Sequence, residues 1–167
     1  MDIHERLVEL LNQQGATFRV VEHEPEGHTE LIAKIRGNRV EQAIKSMVVQ
    51  ARYGKKDHRY FLANIPGDRR VDFDLLRSAL EAESVAFAQR ARAEELTGCV
   101  IGSIPPFSFN EELVVLADPG IQENEEVVFN AGRLDRSIFM KMEDYIRIAK
   151  PRMLRMAQRS DPAAASA

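Results

Sequence analysis

A single-domain α+β fold, built on a mixed or mostly antiparallel sheet, is what the 167-residue sequence predicts. Three observations point there. Strand-like and helix-like segments follow one another without the regular βαβ rhythm of a doubly wound sheet. A β-branched, apolar stretch, a polar turn and a second such stretch form the pattern of an antiparallel hairpin. No repeat or linker divides the chain, and its length suits one core rather than two. Residues 1–159 are assigned to the domain, and 160–167, Ser-Asp-Pro-Ala-Ala-Ala-Ser-Ala, to a frayed tail.

The elements read in order. Ile3, Leu7, Leu10 and Leu11 recur at helical spacing between Asp2 and Gln14, and Gly15 is a natural stop. Phe18 to Glu22 is a short strand, and Glu24-Pro25-Glu26-Gly27 a turn. Thr29 is placed to cap a helix carrying Leu31, Ile32 and Ile35, ended by Gly37. Ala43–Tyr53, the turn Gly54-Lys55-Lys56-Asp57 and Arg59–Ile65 make the hairpin, broken after it by Pro66-Gly67-Asp68. Asp72 caps a helix expected to bury Phe73, Leu75, Leu76 and Leu80. Residues 84–89 are a short strand, and Ala91–Leu96 a helix stopping at Gly98. Two glycines and two prolines forbid regular structure through Gly98–Phe107. Leu113–Ala117, Glu126–Phe129 and Ser137–Lys141 read as strands, and Glu143–Lys150 as a helix ended by Pro151.

Composition narrows the function classes. Hydrophobic residues are 44% and charged ones 29%, an ordinary globular balance. The N-terminus lacks the features of a secretory signal, and no apolar run is long enough to span a bilayer, so a cytoplasmic protein with no membrane partner is expected. Cys99 is the only cysteine, which excludes an internal disulfide and a cysteine-built zinc site. His23 and His28, beside Glu24 and Glu26, lack helical ligand spacing and read as loop histidines on the surface; no metal is expected. A net charge of −3 argues against non-specific coating of nucleic acid, and no DNA partner is expected. RNA stays open, because local basic clusters exist around Arg52–Arg59, at Arg69-Arg70 and from Lys150 to Arg159.

Three features could carry chemistry. Lys45 lies in Ile44-Lys45-Ser46-Met47-Val48-Val49, a run that otherwise wants burial. On a strand it shares a face with Met47 and Val49, and it either snorkels from the strand end or points into a cleft. In a cleft its ammonium can hold a carbonyl or phosphate and steady negative charge. The second feature is Gly102-Ser103-Ile104-Pro105-Pro106, where glycine permits close backbone approach and proline stiffens the loop. It is either an oxyanion-binding loop, with N–H donors from Gly102, Ser103 or Ile104, or a tight structural turn. The third is Phe129-Asn130-Ala131-Gly132, whose glycine suggests close packing or positive φ. Phosphate-loop, dinucleotide and serine-hydrolase glycine motifs are absent from the sequence. Cys99 reads as a small buried thiol rather than a nucleophile.

Taken in order, the segments resemble the YbaK / prolyl-tRNA-synthetase-associated domain family of aminoacyl-tRNA deacylases. The landmarks are Glu22-His23-Glu24-Pro25, Gln42-Ala43-Ile44-Lys45-Ser46-Met47-Val48-Val49, Ile65-Pro66-Gly67-Asp68, Thr97-Gly98-Cys99-Val100-Ile101-Gly102, the G-x-x-x-P pattern from Gly102 to Pro106, and Asn130-Ala131-Gly132. They span about residues 18 to 150. Gly102–Phe109 and Phe129–Gly132 further resemble the freestanding branch that clears serine or threonine from mischarged tRNA. The resemblance implies a sheet of barrel-like curvature with surrounding helices, no cofactor, and hydrolysis in trans of the ester joining an amino acid to the acceptor end of tRNA. It places the family's catalytic lysine on Lys45 and its glycine loop on Gly102 and Pro106. Met47, Ile65, Ile101, Ser103, Pro106 and Gly132 are the corresponding candidates for substrate contact. An aminoacyl-tRNA synthetase is a possible second partner. The rival readings are a non-catalytic tRNA- or synthetase-binding module of the same fold, and an esterase for a small molecule.

Overall fold

The first amphipathic stretch folds as helix α1 (Ile3–Gln13) in a computed structural model that describes residues 1–159. Asp2 caps it by accepting from the Glu5 amide, and Leu7 and Leu11, one turn apart, are fully buried. Strand β1 (Phe18–Glu22) leads to helix α2 (Thr29–Arg36), which ends at Gly37 with φ 76°. Thr29 is not the cap expected of it. The Glu26 carboxylate accepts from the Gly27 and His28 amides, so the chain enters the helix one residue earlier, with His28 at the cap position. The tail assigned to 160–167 lies outside the described residues.

Strands β2 (Ile44–Gly54) and β3 (Asp57–Pro66) form the central hairpin. After them come β4 (Arg69–Val71), α3 (Phe73–Leu80), β5 (Ser84–Phe87), α4 (Arg90–Thr97) and β6 (Leu113–Ala117). The chain closes with β7 (Glu126–Arg133), β8 (Arg136–Lys141), α5 (Met142–Ala149), β9 (Arg152–Met153) and β10 (Ala157–Arg159). The main sheet has the order β5-β2-β3-β6-β9, antiparallel across β5, β2 and β3 and parallel from β3 onward. A second sheet, β1-β8-β7, is antiparallel, and β4 pairs with β10. The strand pairing is therefore mixed and mostly antiparallel, as expected, and among the described residues it forms three open sheets.

Alternation along β2 sorts its side chains. Val49 packs with Leu76 and Leu80 of α3, whereas Val48 packs with Ala93 and Leu96 of α4. Leu75, expected on the buried side of α3, is 37% exposed because Leu76 and Leu80 take the inward stripe. A third cluster joins α1, α5 and the β1-β8-β7 sheet around Phe107, Phe129 and Tyr145. Strands β4, β9 and β10 were not legible beforehand, since two or three residues carry no periodicity. They are fixed by tertiary bonds: buried Asp118 accepts from the Met156 and Ala157 amides and pairs with Arg69. Arg69, 14% exposed and bonded to Glu123 as well, is thereby part of this clamp rather than of a free basic patch. No helix among the described residues is long and apolar enough to cross a membrane.

Candidate active site

The site follows from where β5 stops. It pairs with β2 only over Val49–Arg52, and the Ala88 amide takes the Val48 carbonyl. Beyond that point the outer edge of β2 has no neighbouring strand among the described residues until Ala43, which bridges to Val128 of β7. Backbone direction alternates along a strand, so the N–H and C=O of Ser46 face the same open edge as the Val48 carbonyl. A cavity of about 60 Å³ lies there, lined by Lys45, Ser46 and Gly102 together with Arg36 and Thr29 of α2 and Asn130 of β7. A second cavity of about 410 Å³ adjoins it through Ser46, Gly102 and Ile104, and reaches Met47, Phe87, Arg90 and Ile101.

Lys45 is half-buried at this cavity. Burial pushes its ammonium below the ordinary lysine pKa, and the negative charges of Asp68 and Glu30 offset part of that. Gly102 adopts φ +93° and packs its Cα against Gly27; a Cβ on Gly102 would lie 3.0 Å from the Gly27 Cα. The loop's donors differ from expectation. The Ser103 amide is spent on the Val100 carbonyl, and Ser103 Oγ donates to the same atom, which leaves the Gly102 and Ile104 amides.

Of the residues singled out in the sequence, Lys45 and Gly102 meet at the smaller cavity, and Met47 and Ile101 join Gly102 at the larger. Ile65, Ser103, Pro106 and Gly132 lie outside both linings. Ile65 is fully buried in the cluster on the α3 face of the sheet. Ser103 is fully buried by its bonds to Val100. Pro106 anchors the loop from behind, its carbonyl accepting from the buried Tyr145 hydroxyl at 2.9 Å. Gly132, at φ +82°, receives α1: a Cβ there would lie 2.9 Å from the His4 nitrogen.

Sequence reasoning missed the frame behind the cavity. Asn130 Nδ2 donates to the Gly102 carbonyl at 2.6 Å and to the Glu26 carbonyl at 3.1 Å, clamping the glycine loop to the turn before α2. Arg36 Nη1 donates to Asn130 Oδ1 and Ser137 Oγ. His23 Nε2 meets the same serine at 2.6 Å, so His23 is half-buried in a network and not the surface histidine expected; His28 is exposed. Among the described residues Arg36 has no carboxylate partner, and burial pushes its guanidinium down to about 10. A polar Asn130 within the apolar run Val127–Ala131 was the available signal for this frame. Nothing local marked Arg36.

Cys99 is buried among apolar neighbours, which pushes its thiol up to about 11 and leaves almost no thiolate at neutral pH. Cys99→Ser is accordingly expected to leave the activity of the site at the wild-type rate, while its melting temperature falls by a few degrees through burial of a hydroxyl. Among the described residues no group of three or more His, Cys, Asp and Glu is placed to hold a metal ion.

The cavity at the β2 edge thus carries two cationic side chains, Lys45 and Arg36, and is faced by the Gly102 loop. Comparison with known proteins supplies the family. The aminoacyl-tRNA editing domain matches residues 23–148, and the chain belongs to that family. It is 42% identical over 152 residues to the multifunctional Ser/Thr-tRNA deacylase ProXp-y of Escherichia coli (strain K12), covering 90% of each chain. It is 28% identical over 114 residues to a proline--tRNA ligase of Bacillus licheniformis, covering 68% of this chain and 19% of the ligase. The crystal structure of a hypothetical protein shares the fold with TM-score 0.82 and 18% identity, over 92% of this chain and 99% of that one.

Proposed function

We propose that the chain hydrolyses, in trans, the ester between serine or threonine and the terminal ribose of a mischarged tRNA. The observation that carries the reading is the shared lining of one small cavity by Lys45 and Gly102. An ester is already activated, so holding the carbonyl, supplying oxyanion donors and admitting one water suffices. Lys45 holds the aminoacyl group or terminal nucleotide by its charge. Amides of the glycine loop polarise the carbonyl, and the neighbouring ribose hydroxyl helps activate the water. The cavity's size, about 60 Å³, suits a side chain of a few heavy atoms. The E. coli relative named for Ser/Thr-tRNA supports the same substrate class.

The test is a panel of Ser-, Thr-, Ala-, Cys- and Pro-tRNA incubated with the purified protein. Ser- and Thr-tRNA are expected to lose their esters fastest. Tight binding with every ester retained would identify the non-catalytic module instead. Hydrolysis of small aminoacyl esters that uncharged tRNA fails to inhibit would identify the small-molecule esterase.

A further inference from the structure

Ser46 stands opposite Asn64 in the β2–β3 register, and its Oγ donates to Asn64 Oδ1 at 2.6 Å. The direction of that bond is fixed from behind. Asn64 is fully buried, and its Nδ2 donates to the Leu116 carbonyl at 2.9 Å and the Leu62 carbonyl at 3.4 Å. Both carbonyls can only accept, so the amide nitrogen must face them and the amide oxygen must face Ser46. A serine hydroxyl has one proton, and here it is committed. What Ser46 offers to the cavities it lines is a lone pair, an acceptor with fixed polarity.

We propose that Ser46, oriented by Asn64, is the specificity-determining residue that accepts a hydrogen bond from the side-chain hydroxyl of the aminoacyl group. The inference rests on the deacylase reading above and deepens it. The substrate's α-ammonium is also a donor, but among the described residues the lining of the small cavity holds two cations, Lys45 and Arg36, and no carboxylate. Asp68 and Glu30 act on Lys45 from outside that lining and offset its charge only in part. An ammonium entering it meets repulsion, whereas a neutral hydroxyl does not. Serine and threonine then satisfy an acceptor that alanine leaves unpaired, and a polar site of this kind discriminates better than an apolar one does by size.

The experiment is a two-by-two comparison of single-turnover rates, with wild type and Ser46→Ala each acting on Ser-tRNA and Ala-tRNA. The Ser-to-Ala rate ratio is expected to fall by about tenfold or more in the variant, the consequence of one lost hydrogen bond on the hydroxyl substrate alone. An unchanged ratio overturns the proposal, whether both rates fall together, as for a contact to the ammonium or ribose, or neither falls. Should Ser46→Ala fail to fold, Ser46→Cys, with a much weaker acceptor of similar shape, is read by the same ratio. A wild-type protein that releases no amino acid from any tRNA would defeat the deacylase reading itself, a result distinct from an unchanged ratio.

Discussion

Replacing Lys45 by alanine is expected to lower the rate of Ser-tRNA deacylation by roughly 100- to 1,000-fold, the size of effect seen when a preorganised charge-stabilising group is removed. The fold is expected to survive. The lysine is half-buried at a cavity rather than packed in a core cluster, and burial works against its charged form. Taking away a partly desolvated ammonium therefore leaves the melting temperature unchanged or slightly higher. Lys45→Met retains most of the apolar stem without the charge, and it should be as inactive as the alanine variant if the charge is what matters. The ammonium is lost as pH rises through its pKa, and burial moves that pKa down. After subtraction of spontaneous ester hydrolysis, enzymatic activity should thus decline on the alkaline side at a pH below the ordinary lysine range. A Lys45→Met protein that turns over Ser-tRNA like wild type would remove the lysine from the mechanism.

The same residue shows how far the sequence could be read. A charged side chain inside Ile44–Val49 conflicts with its surroundings, and such a conflict is legible without a structure. So are α1 and the β2–β3 hairpin, because their periods of 3.6 and 2 are local properties. The glycine–proline loop announced itself by composition, but which of its residues face the cavity did not. Ser103 and Pro106 look equivalent to Gly102 in sequence, yet Val100 and Tyr145 hold them from the other side. Ile65 pairs with Lys45 across the hairpin but sits in the cluster beneath α3. The hydroxyl polarity of Ser46 depends on Asn64, and that of Asn64 on Leu116 of β6, so three strands must assemble before the acceptor exists. The open edge exists only because β5 pairs no further than Val49. Tertiary pairing, not local pattern, decides such features.

Gly102→Ala is expected to reduce turnover by about 10- to 100-fold and also to lower stability by roughly 1–3 kcal/mol. Two independent constraints meet at this residue. Its φ of +93° disfavours any side chain, and an added Cβ would stand 3.0 Å from the Gly27 Cα and 3.4 Å from the Gly27 carbonyl oxygen. Both contacts are backbone atoms, so the strain is relieved only by moving the loop or the turn. Moving the loop shifts the lining of both cavities and pulls the Gly102 carbonyl from Asn130. Gly27→Ala probes the same interface from the other side, at lower cost. Its Cβ would meet the Gly102 Cα and the Leu134 Cδ2 at 3.3 Å, and that leucine side chain can turn away. Turnover should therefore fall in both variants, with the larger loss of melting temperature in Gly102→Ala. Rates must be compared well below both melting temperatures, so that unfolding does not masquerade as a slow enzyme. Wild-type turnover in a folded Gly102→Ala protein would reduce the loop to a structural turn, and the oxyanion donors would then have to come from the free edge of β2.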